Sequence, residues 1–230
     1  MFDSILTWFV QHGLTEGMVH RLIEESWKTI IMAGVSCFFG FLLGLPAGIL
    51  LYVTKPGQIL ENKVLYKVLS TVVNVLRSVP FIIMIFWVAP LTNLVIGTSY
   101  GVSAVLVPLS VAAAPFIARM VENSLLELPY GLIEAAKSMG ATPLQIILKV
   151  MLPEALPSLV NSFTITLITL IGYSAMGGAV GAGGLGFVAY QYGYIGNNPV
   201  ITNAVLVLLL LLVYIVQFTG ERIVKAVTHK

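Results

Sequence analysis

The chain has 230 residues, of which 58% are hydrophobic and only 10% charged, with a mean hydropathy of +0.97. Soluble domains carry about 25% charged residues, so this composition excludes an ordinary water-soluble domain and makes lipid the solvent. The formal net charge is +2, and eleven of the twelve Lys and Arg are spread over separate membrane-flanking segments, which gives no sign of nucleic-acid binding.

Residues 1–28 lack the basic start and clean apolar run of a secretory signal, and Asp3 comes early. Ile5, Leu6, Trp8, Phe9 and Val10 fit either a short interfacial helix on the outer surface or a frayed terminus. Five stretches then reach the length of about 20 apolar residues that a hydrocarbon core requires: approximately 29–53, 68–90, 101–120, 158–178 and 200–219. The expected fold class is therefore all-α, a polytopic membrane protein with five transmembrane helices. Residues 1–27 form an extracytoplasmic segment, 28–226 the five-span domain and 227–230 a tail. Cys37 in the first span can make neither an internal disulfide nor a multi-cysteine metal site, and reads as a small core residue. His12, His20 and His229 form no metal-ligand pattern with any carboxylate.

Five spans place the termini on opposite sides, and basic residues in short loops mark the cytoplasm. Lys55, Lys63 and Lys67 follow span one; Arg119, Lys137 and Lys149 follow span three; Arg222, Lys225 and Lys230 close the chain. All nine fall on one side, against Arg21 and Lys28 on the other. The N-terminus is thus expected outside and the C-terminus in the cytoplasm.

The second span is interrupted by Arg77 and Pro80. Arg77 lies about 16 Å beyond a helix start near Tyr66 at 1.5 Å per residue. That is deep for a snorkelling side chain, so a buried or cavity-facing place is expected, with Pro80 kinking the helix just beyond it.

The polar stretch 128–153 between spans three and four reads as two short helices. Leu128-Pro129 closes the preceding span, because a residue before proline is pushed out of the α region. A helix then runs from about Tyr130 to Met139, and Gly140 supplies a left-handed end. Thr142 as N-cap, Pro143 at the first helical position and Gln145 in a capping box start the second helix, which ends before Pro153. A capped helix pair on one membrane face suits docking, and equally suits a plain amphipathic connector.

In the fourth span Thr166, Thr169 and Tyr173 share one helix face, and hydroxyls in lipid are expected to face protein or a water-filled path. Ser174 and Met176 follow. Gly177 and Gly178 then open a run of glycines suited to close packing or to a gate. No Asp or Glu lies well inside any of the five stretches, which argues against a proton-coupled carrier, although a sodium-coupled carrier with broken helices stays open. With no nucleophile–base pair, metal cluster or phosphate-binding loop, the chain is not expected to be an enzyme, and any ATP hydrolysis must come from another chain.

The residues from Glu134-Ala135-Ala136 through Met139-Gly140 to Leu152-Pro153 resemble the coupling motif of ABC-importer permeases. Further segments, among them 51–58, 77–81, 114–123, 172–178 and 190–196, look like the bacterial methionine ABC-transporter permease family, so that the likeness covers roughly 28–226. The resemblance implies a permease that moves methionine across the bacterial inner membrane by alternating access. The implied partners are a second copy of the chain, two cytoplasmic ABC ATPase subunits and an extracytoplasmic methionine-binding lipoprotein. It implies that Glu134, Ala135, Ala136, Met139 and Gly140 couple to the ATPase. Arg77, Pro80, Thr166, Thr169, Tyr173, Ser174, Met176, Gly177 and Gly178 are the expected path or gate. No cofactor is expected in this chain; ATP and Mg would belong to the partner ATPase. The competing readings are a permease for another small solute, such as another amino acid or a sulfonate, and a self-sufficient secondary carrier.

Overall fold

The computed structural model describes residues 14–228; residues 5–10, His12 and His229 lie outside the described residues. The helices are α1 (Glu16–Thr54), α2 (Lys63–Ser78), α3 (Phe81–Ile96), α4 (Val102–Leu126), α5 (Tyr130–Ser138), α6 (Pro143–Ile146), α7 (Leu152–Glu154), α8 (Leu156–Gly177), α9 (Leu185–Val188) and α10 (Pro199–Val227). π-Helical turns cover Ile147–Met151, Gly178–Ala182 and Ala189–Ile195, and the described residues contain no strand. Four helices are long and apolar enough to cross a membrane, or five if α2 and α3 count as one broken span.

That broken span differs from the expected kink. Val79 is extended (φ −73, ψ 122), as a residue before proline prefers. Pro80 then becomes the N-cap of α3, where its missing N–H leaves no helical bond unmade. Its carbonyl accepts from Ile83 and Met84 at 2.9 and 3.0 Å, so a new helix starts there instead of an old one bending. At the other end of the chain, α1 begins at Glu16, well before the first apolar stretch.

The described residues form two compact units. In the unit made of residues up to 37, 80–110 and 167–216, Leu22, Leu185, Val188, Ile201 and Val205 form a buried core. In the unit made of 38–79, 111–166 and 217 onward, Leu51, Val73 and Ala118 form another. There, glycines at four-residue spacing bring α1 close to α4. A Cβ on Gly44 would stand 2.6 Å from the Ala114 carbonyl oxygen, and one on Gly48 2.5 Å from that of Ala118. Small residues at this spacing let backbones approach where lipid supplies no hydrophobic drive between helices.

Candidate coupling and translocation sites

The 128–153 segment folds from local signals. Pro129 is the N-cap of α5, and Gly140 turns the chain at φ +79, its N–H donating to the Lys137 carbonyl at 2.9 Å. Thr142 Oγ1 accepts from Gln145 N, Gln145 Oε1 accepts from Thr142 N at 2.9 Å, and Pro143 opens α6. One expectation is corrected. The second helix does not stop before Pro153; the path continues through the π turn Ile147–Met151 into α7. The Leu152 N–H reaches back to the Ile147 carbonyl. That widened turn makes room for a proline ring that a tight α-turn would drive into a carbonyl.

The pair is amphipathic. Ile133, Ala136, Ile146 and Met151 are buried, while Glu134, Ala135 and Gly140 are exposed. Met139 is 80% and Leu144 64% exposed. Tyr130 Oη donates to the Gly57 carbonyl at 3.4 Å, tying α5 to the loop that follows α1. In that loop the Gly57 N–H donates to Glu61 Oε2 at 2.9 Å and, with Lys63 nearby, holds the Glu61 carboxyl below the usual carboxylate range. Four of the five expected coupling residues therefore stand on the surface, and Ala136 packs beneath them.

The expected path residues are divided between the two units, Arg77 and Thr166 in one and the rest in the other. Arg77 is exposed rather than buried, its guanidinium 5.7 Å from the centroid of the Phe116 ring. Phe81, next to Pro80, stacks on Tyr173 with centroids 4.7 Å apart and planes 2° from parallel. Thr166 and Ser174 are buried and donate to carbonyls of their own helix, those of Ser162 at 2.8 Å and Ile171 at 2.7 Å. Thr169 is half-buried and Met176 exposed. The glycine run reverses the chain, with positive φ at Gly181, Gly183 and Gly184. It also packs tightly: a Cβ on Gly178 would stand 2.4 Å from the Phe187 nitrogen, and one on Gly186 2.1 Å from the Ala175 carbonyl oxygen.

Two buried carboxylates inside helices escaped the sequence reading. Glu25 in α1 accepts from the Gly184 N–H at 2.6 Å and pairs with Lys28 at 2.9 Å. Thr29 Oγ1 accepts from the Leu185 N–H at 2.9 Å, so α1 caps the start of α9. Glu122 in α4 is 1% exposed and pairs with Arg119. Both lie outside the five apolar stretches, Glu25 before 29–53 and Glu122 after 101–120, so the reading that no acid lies well inside a stretch is unchanged. The available signal was the i,i+3 spacing of Glu25 with Lys28 and of Arg119 with Glu122. The described residues contain no group of three or more His, Cys, Asp or Glu placed to hold a metal.

Residues 40–229 match the family of binding-protein-dependent transport system inner membrane components. The chain belongs to this family. It is 64% identical over 217 residues to the D-methionine transport system permease protein MetI of Salmonella typhimurium, covering 94% of this chain and 100% of that one. The MetI of Escherichia coli K12 is 63% identical over the same coverage. A probable MetI of Vibrio cholerae is 47% identical over 229 residues, 100% of this chain and 99% of its own. A structure of the MetNI methionine ABC transporter in inward-facing conformations superposes with a TM-score of 0.92 at 62% identity, covering 94% of this chain and all of that one. An amino acid ABC transporter shares the fold at a TM-score of 0.60 and 19% identity, over 96% of this chain and 98% of that one. As a member of this family the chain is a membrane transport component, not an enzyme.

Proposed function

We propose that this chain is the permease subunit of an ATP-driven importer that carries methionine across the bacterial inner membrane by alternating access. The observation that carries the reading is the capped helix pair α5–α6, which presents Glu134, Met139 and Leu144 at an exposed surface in a chain of this family. Exposed apolar side chains on a polar segment between the apolar helices suit a protein contact. The relatives named for D-methionine transport support the substrate.

In this reading two copies of the chain form the pathway. Two cytoplasmic ABC ATPase subunits dock on the 130–152 segments and bind ATP with Mg. An extracytoplasmic methionine-binding lipoprotein delivers the solute. The N-terminus faces outward and the C-terminus the cytoplasm. Closure of the ATPase pair moves α5 and α6 as a rigid lever, one known kind of switching transition. The Arg77–Pro80 break, the Thr166, Thr169 and Tyr173 face, Ser174, Met176 and the Gly177–Gly178 packing form the path or gate. No covalent step takes place in the chain.

Co-purification tests the reading. The chain should retain an ABC ATPase subunit, and that subunit's hydrolysis should rise with a methionine-loaded binding protein. Uptake by the chain alone in liposomes would refute it in favour of a secondary carrier. Stimulation by a protein loaded with another solute instead would refute methionine as the cargo.

A further inference from the structure

One face of α2 meets α4 in a series of polar rungs. Tyr66 Oη donates to Glu122 Oε1 at 3.2 Å. Further along, Arg119 Nη2 donates to Ser70 Oγ at 3.1 Å and to Asn74 Oδ1 at 2.6 Å. At the far end the Arg77 guanidinium lies over the Phe116 ring. Residue numbers rise along α2 as they fall along α4, so the two helices run antiparallel and the contacts form a ladder. Arg119 Nη1 also donates to Glu122 Oε2, which holds the two central side chains in one orientation.

The lowest rung sits at the foot of α4, which ends at Leu126, and α5 begins at Tyr130. The same foot is also bonded to α8. Ser158 Oγ lies 2.8 Å from Glu127 Oε2 and 3.0 Å from Ser124 Oγ. A buried ion pair is weak evidence for stability, since apolar packing of equal volume does as well; its best attested use is to fix register. Register needs fixing where helices pack in lipid, because lipid supplies no hydrophobic drive to keep one alignment.

We infer that Arg119 and Glu122 are positioning residues of the transport cycle. Their cross-helix bonds lock α2 to α4 in a single register, so that a displacement of α5 reaches Arg77 without slip. This rests on the reading of α5 and α6 as the element that takes up ATPase motion.

The test is the double variant Ser70→Ala with Asn74→Ala. It removes both acceptors that α2 offers Arg119 and leaves the Arg119–Glu122 pair intact. The complete transporter is reconstituted with its ATPase and a methionine-loaded binding protein, and methionine imported per ATP hydrolysed is measured beside ATPase retention. Retention and stimulated hydrolysis should stay at the unaltered level. The import ratio should fall by about tenfold, equivalent to about 1.4 kcal/mol between coupled and slipped registers. Ser70→Ala with Asn74→Asp gives Arg119 a carboxylate acceptor again and should restore the ratio. An unchanged ratio in the double alanine variant overturns the inference. So does a ratio lost together with ATPase binding, because the ladder would then be merely structural. If the unaltered transporter itself hydrolyses ATP without importing methionine, the importer reading falls and takes this inference with it.

Discussion

Gly140→Val isolates the turn between α5 and α6. Gly140 holds φ +79, and a Cβ added there meets nothing within 4 Å. The substitution therefore causes no clash, and its whole cost is torsional. A β-branched residue at positive φ is a backbone outlier, and strain of this kind costs about 1–3 kcal/mol. The site is exposed and outside both buried cores, so the membrane helices should not be affected. Relief of the strain by moving α6 relative to α5 would shift Leu144, which is exposed on α6. As a coupling free energy, 1–3 kcal/mol is about 5- to 150-fold in the docking-competent population. Gly140→Asn is the control, because asparagine tolerates the left-handed region. The assay pairs ATPase retained on purification with uptake driven by the loaded binding protein. Retention or uptake should fall within that range in the valine variant and stay near the unaltered level with asparagine. Wild-type retention and uptake with valine would refute the lever and reduce 130–152 to a connector.

Other expectations follow from the packing and the topology. Gly186→Ala should lower the thermal midpoint in detergent, because its Cβ would stand 2.1 Å from a backbone oxygen and overpacking costs about 1–3 kcal/mol or more. Gly172→Ala, in a helix with open space around it, should raise the midpoint by the gain of about 1 kcal/mol for alanine over glycine. Equal effects from the two would count against this packing. Glu25→Ala leaves the buried Gly184 N–H without its acceptor, a loss of about 1–3 kcal/mol. At about 2–4 °C per kcal/mol for a chain of this size, a melting curve should resolve the change; no shift would mean the cap is not formed. A cysteine at Gly17 should react with an impermeant thiol reagent in intact cells and one at Ser138 should not, with native Cys37 silent because it is fully buried. The reverse labelling would overturn the orientation read from the basic residues.

The α5–α6 turn was legible because every signal for it is local. Thr142, Pro143 and Gln145 act within one turn of helix, and Gly140 answers a single backbone torsion. The long helices were legible because apolar length in lipid has few other readings. Pro80 was legible as a disruption but not as a new helix start. Its effect on Val79 is local, whereas the choice between kink and break depends on what each half packs against. Thr166, Thr169 and Tyr173 read as a hydroxyl face toward a path, yet the Thr166 hydroxyl donates to the Ser162 carbonyl of its own helix. The largest omissions, Glu25 capping Gly184 and Glu122 bonded to Tyr66, join residues far apart in the chain. Only their local partners, Lys28 and Arg119, stood in the sequence at helical spacing.

The central claim is that the chain moves methionine only when an ATPase acts on α5 and α6. The most direct measurement is methionine uptake into proteoliposomes holding the chain, its ABC ATPase and a loaded binding protein, with and without ATP. The account predicts uptake that requires all three components and ATP, and that is lost in Glu134→Lys while the transporter remains in the membrane. Uptake of equal rate without ATP or without the ATPase would contradict it.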